Sequence, residues 1–156
     1  MPPMIISPPG YVRRTSASVT FTGAANLGAT GTNTPFFTVT GEVLIVYLVP
    51  TVVLTLGESA ASSSIALGVT NSTGLFIGAT SVTTLVTGEF WTEATGGGAP
   101  NAGVGLPAAG TAAPQLKDVA ITANILTAHT GVGNTNSGTL RLDCYYVPLS
   151  SDGLVA

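Results

Sequence analysis

The sequence predicts an all-β protein, a single antiparallel β-sandwich of jelly-roll-like character, on three observations. Apolar residues come in short pieces of strand length, several alternating with polar residues at period two. Thr-Gly dipeptides separate these pieces at Thr22-Gly23, Thr30-Gly31, Thr40-Gly41, Thr73-Gly74, Thr87-Gly88, Thr95-Gly96 and Thr130-Gly131, with no fixed period, so they mark turns rather than repeats. The longest apolar stretch, FFTVTGEVLIVYLVPTVVLTL at 36–56, is built of β-branched and aromatic residues, which fit a pleated, packed surface. Regularly spaced short strands with Gly-rich turns belong to sandwiches and barrels.

In chain order, residues 1–14 form an extended arm. Pro2, Pro3, Pro8 and Pro9 fix φ and push the residues before them toward extended conformations. Met4, Ile5 and Ile6 make an apolar anchor between the proline pairs, and Arg13-Arg14 is the one basic pair. The sandwich covers 15–149 and a short tail 150–156. Ala17, Val19 and Phe21 alternate with Ser16, Ser18 and Thr20, which predicts a half-buried strand over 16–22. Further strands are expected at 35–40, 43–49, 51–56, 63–69, 75–80, 82–93 (with Gly88 as a candidate break), 118–128 and 138–147. Gly41-Glu42 suits a two-residue hairpin turn with glycine first. In the following strand Val43, Ile45, Tyr47 and Val49 take one face, and Leu44, Val46 and Leu48 the other. Both faces are apolar, so this strand is central or covered. Pro50-Thr51 is read as a break between strands.

Two places compete with the strand reading. Residues 58–67 are rich in Ala and Ser and could form a helical turn, and Pro114 could begin a helix. Past Pro114, however, Val119, Ile121, Ala123 and Ile125 alternate at period two. Residues 94–115, ATGGGAPNAGVGLPAAGTAAPQ, are expected to form a long low-complexity loop, a length that in a compact domain is usually either functional or disordered. The last strand places Leu140, Leu142, Cys144 and Tyr146 on one face and Arg141, Asp143 and Tyr145 on the other. It is expected to pair with 118–128 as a long-looped hairpin.

Composition narrows the function. The chain has 156 residues, 45% hydrophobic and 7% charged, with net charge −3 and four Lys+Arg, against about 25% charged in an ordinary soluble domain. Such a protein stays soluble on hydroxyls or hides surface in an assembly, and the second is favoured. So few cations rule against a duplex-binding surface, and no nucleic-acid partner is expected. Glu42, Gly41 and Pro50 inside the longest apolar stretch, with no flanking basic residues, speak against a membrane span. The start MPPMIISPPG lacks the basic region of a secretory leader, and the lone Cys144 cannot form an internal disulfide.

No catalytic constellation emerges. Glu89 and Glu93 on one strand face stand about 13 Å apart, too far to act as a glycosidase pair. Trp91 between them reads as a packed aromatic before a sugar platform. His129 reads as a solvated turn residue without an orienting partner, and Cys144 as a small core residue. One Cys and one His make no zinc site, Gly96-Gly97-Gly98 lacks the ending of a phosphate loop, and Asp152 is isolated. No enzyme activity, cofactor or metal is expected.

The order of FTGAA at 21–25, FTVTGEV at 37–43, GEFW at 88–91 and CYYVPLSSDG at 144–153 resembles a family of small virion structural proteins of tailed bacteriophages. The resemblance spans most of the chain from Thr20 on. The arm and the 94–115 loop have no counterpart in it. It implies a jelly-roll-like head decoration or cement protein, trimeric, on the capsid exterior, made in the host cytoplasm, with the major capsid protein as partner. The expected contact residues are Met4, Ile5, Ile6, Arg13 and Arg14 in the arm, with Pro100, Leu106 and Pro107 in the loop. The competing readings are a head-fibre or tail component and a carbohydrate-binding or adhesin sandwich. A sugar binder should cluster exposed aromatics on one face.

Overall fold

The computed structural model describes residues 11–59, 63–91, 103–104 and 119–156. Two antiparallel sheets close over one apolar core, as the alternating pattern requires. The seven-stranded sheet is centred on two long neighbours, β4 (Val43–Glu58) and β11 (Thr135–Pro148). Outside β11 lie β1 (Val12–Thr15) and β2 (Val19–Thr20); beside β4 lie β7 (Phe90–Trp91), which leads to β8 (Gly103–Val104), and β9 (Val119–Ile121). The five-stranded sheet runs β12 (Leu154–Val155), β3 (Thr32–Thr40), β10 (Asn124–Thr130), β5 (Ser64–Val69), β6 (Ser72–Ser81). Consecutive strands repeatedly cross between the sheets of this all-β sandwich. The chain from β3 to β4 crosses, and so does the chain from β10 to β11.

Ile45, Leu48 and Val52 of β4 and Leu140, Leu142, Cys144 and Tyr146 of β11 face Ile65, Leu67, Leu126 and Ala128 of the other sheet. The inward set expected for β11 is therefore the buried one. Trp91 is fully buried, and its Nε1–H donates to Thr80 Oγ1 at 2.9 Å, so this ring is a core member with its polar edge satisfied.

Several expectations are corrected. Gly41-Glu42 is not a hairpin turn, because β3 and β4 lie in different sheets; it is the corner between them. Gly41 has φ +58°, and a Cβ there would stand 2.5 Å from both Asp152 Oδ1 and Ser150 Oγ. Glycine is thus demanded by the corner and by the tail packed on it. Pro50 does not end a strand. It sits inside β4 opposite Leu142, and its missing donor is tolerated because none of the described neighbours on its other side calls for it. The alternation in β4 also changes phase. The register against β11 slips between Tyr145 and Tyr146, leaving Val46 as an extra residue. Val43 and Ile45 are buried, then Leu48, Pro50 and Val52, and Tyr47 and Val49 turn outward.

Of the expected strand over 82–93, residues 82–91 form a 3₁₀ turn, Val82–Thr84, then a loop and the two residues of β7, and 92–93 lie outside the described residues. The expected strand over 118–128 is two strands in two sheets, β9 and β10, so the hairpin with the last strand does not form. Within 16–22 only β2 is strand. Ser16 is buried and Ala17 exposed, because Ser16 substitutes for a ladder partner: the Leu142 N–H donates to its Oγ at 2.9 Å. Among the described residues the 58–67 stretch forms no helix.

Candidate functional site

Two surfaces stand out, and β4 runs through both. The first is the outer face where β1, β11 and the start of β4 lie side by side. Cross-strand pairing aligns Arg13, Tyr145 and Tyr47 in one row and Thr15, Asp143 and Val49 in the next. Tyr47 and Tyr145 pack with ring centroids 4.3 Å apart and planes tilted by 31°. Tyr11 meets Tyr47 edge-on at 6.2 Å, and the Arg13 guanidinium lies 5.8 Å from the Tyr145 centroid. These are separations at which aromatic and cation–π attraction operate.

Asp143 anchors this face. Its side chain is 6% exposed although it carries a charge. Arg13 donates to Oδ1 through Nη2 at 2.9 Å and Nε at 3.2 Å, Thr15 Oγ1–H donates to the same oxygen, and Arg141 Nε stands 3.6 Å from Oδ2. The hydrogen bond to Asp143, reinforced by its charge, raises the Arg13 pKa above its ordinary value. On the opposite side of the same strand, burial pushes the Cys144 thiol up to about 12, so Cys144 is an inert core residue.

The second surface lies at the far end of β4. Val53, Leu54 and Thr55 are three consecutive exposed residues in a strand otherwise buried or half-buried, and Leu54 is 55% exposed. The 85–89 segment runs beside them. Thr55 N–H donates to Thr87 Oγ1 at 2.8 Å, Thr87 N–H donates back to Thr55 Oγ1 at 3.0 Å, and Leu56 N–H reaches the Leu85 carbonyl. Val86 is 44% exposed. The nearby Glu89 carboxylate turns back to accept from the Val86 N–H at 3.0 Å. What this strip offers outward is methyl groups and hydroxyls.

Of the expected contact residues, Arg13 and Arg14 lie on β1, paired with Tyr145 and Cys144 of β11, so the division expected between residues 14 and 15 falls inside a strand. Met4, Ile5, Ile6, Pro100, Leu106 and Pro107 lie outside the described residues, as does Glu93. His129 is not a solvated turn residue. It is half-buried in β10, and its Nδ1 lies 2.8 Å from Asn33 Oδ1. Asp152 is held by the Ser150 hydroxyl at 2.7 Å. Sequence reasoning missed both surfaces. The tyrosine row depends on a bulge and a cross-strand register, and the Val53–Thr55 strip was hidden in a uniformly apolar run.

Among the described residues no group of three or more His, Cys, Asp or Glu could hold a metal ion, and no helix is long and apolar enough to cross a membrane. No protein-family model, curated protein or solved structure matches the chain.

Proposed function

We propose that this is a non-enzymatic structural protein of a tailed-bacteriophage virion. It acts as a head decoration or cement protein that binds the capsid lattice and its own copies, as a homotrimer on the capsid exterior. The observation that carries this reading is the uncharged strip of Val53, Leu54 and Thr55 beside Val86 and Thr87, on a chain with only 7% charged residues. The likeness to phage virion proteins at 21–25, 37–43, 88–91 and 144–153 adds the biological setting.

The mechanism is burial. Each Å² of apolar surface removed from water contributes roughly 25 cal/mol, whereas an exposed ion pair contributes about 0–1 kcal/mol. Four cations and seven carboxylates can supply few such pairs. Assembly should therefore persist in high salt. Sedimentation of the purified chain in dilute buffer and in molar salt tests this, together with co-sedimentation onto phage heads stripped of their decoration. The expected result is a salt-resistant oligomer that binds heads, and a Leu54→Asp variant that stays folded but sediments as a monomer. A monomer at every salt concentration, or an oligomer dispersed by salt, refutes the reading.

A further inference from the structure

We propose that the Tyr11–Tyr47–Tyr145 face, with Arg13 and Arg141, is a binding site for an acidic saccharide, a pyranose that carries a carboxylate. The inference rests on this sheet face alone and not on the virion assignment.

Two of the chain's four cations, Arg13 and Arg141, flank Asp143 on this face, in a protein of net charge −3. Asp143 sits between Arg13 and Arg141 and is the carboxylate that both contact. One carboxylate against two guanidiniums leaves positive charge at the surface. The arginine side chains are 57% and 42% exposed; the Arg141 Nε is itself buried without a hydrogen-bond partner, so the donors left for a ligand are the terminal guanidinium N–H groups. Guanidinium is the group best shaped to grip a second carboxylate through paired hydrogen bonds.

The tyrosines supply the other half of a sugar site. Their ring contacts hold one another in place, so little side-chain freedom is left to lose on binding. Tyr47 and Tyr145 spend a ring face on each other and Arg13 lies over the Tyr145 ring, so what the row offers a pyranose is ring edges and phenol hydroxyls. From Tyr47 across Tyr145 to Arg13 the row spans about 10 Å, two strand spacings, which matches one or two sugar rings. A specific protein partner would need roughly 800 Å² of contact, and the charge, the aromatic stack and the buried anchor all concentrate on this short row.

Calorimetric titration of the full chain with sialyllactose and with trigalacturonate is the test, with lactose and the methyl ester of trigalacturonate as uncharged controls. One or both acids should bind saturably, and the matching control at least about tenfold more weakly, the cost of losing a charge-assisted hydrogen bond. Arg141→Gln should weaken binding by a similar factor. Tyr145→Ala should abolish it, and Tyr11→Ser, at an exposed edge position, gives the same readout if Tyr145→Ala proves unstable. Equal binding of acid and control, equal binding of a polyglutamate peptide, or no saturable binding of either acid overturns the proposal. So does dissociation of an oligomer by Tyr145→Ala, which would make the face a subunit contact. None of these results alters the salt test of the Val53–Thr55 strip, so the two readings fail separately.

Discussion

At its start β4 contributes Tyr47 to a face fastened by a buried carboxylate; about seven residues later, roughly 23 Å along the strand, it contributes Val53 and Leu54 to a strip with no charge. Both surfaces belong to one sheet, yet different forces hold them. Around Asp143 the side chains are fixed by directional, charge-assisted bonds from Arg13 and Thr15, with Arg141 nearby. Around Leu54 the fixed part is the backbone, clasped by reciprocal Thr55–Thr87 bonds, and the apolar side chains are left to solvent. The first arrangement invests stability in its own geometry, as a selective site does. The second withholds its apolar groups from the fold, as a surface awaiting burial does.

If that contrast is right, substitutions at the two surfaces should divide cleanly between stability and assembly. Asp143→Ala should have the largest effect on folding. It removes the buried partner of two guanidiniums, and since both are about half exposed and can regain water, the loss should be about 2 kcal/mol, below that of a fully buried pair. A denaturant titration checks it; a change below about 0.5 kcal/mol, the ordinary surface value, would mean that the carboxylate anchors nothing.

Thr87→Val comes next, at about 1 kcal/mol, because two hydroxyl-mediated bonds to Thr55 are lost at a site where water replaces them in part. Leu54→Ser should move stability by less than about 0.5 kcal/mol while weakening self-association in sedimentation. A large stability loss there would place Leu54 in the fold's own packing and erase the contrast.

At neutral pH the ionisation of Cys144, on the reverse of the strand that carries Asp143, contributes nothing to stability. Its folded-state pKa is raised from 9.0 to about 12 by burial. Below pH 9 both states hold the proton and the group is neutral to stability. Between pH 9 and about 12 the unfolded chain releases its proton while the folded one retains it, so stability falls as pH rises. Cys144→Ala should therefore show a shallower alkaline decline than the parent, measured as the slope of unfolding free energy against pH. Equal slopes would show that the thiol titrates as freely in the fold as out of it.

The sequence by itself determined the all-β class, the centrality of the strand that begins at Val43 and the inward set Leu140, Leu142, Cys144 and Tyr146, because period-two patterning is a local property that burial enforces directly. It also marked Trp91 and Cys144 as core residues. What only the tertiary structure decided was which strands become neighbours. Gly41 looks the same in a hairpin and in a corner between sheets, and the choice depends on Ser150 and Asp152, more than a hundred residues away in sequence. The slip at Val46 turns Tyr47 outward, yet it exists only as a mismatch between β4 and β11. Arg13 and Asp143 meet across 130 positions for the same reason. Local pattern fixes what a segment is, whereas long-range register fixes which side chains share a surface, and both candidate sites are products of register.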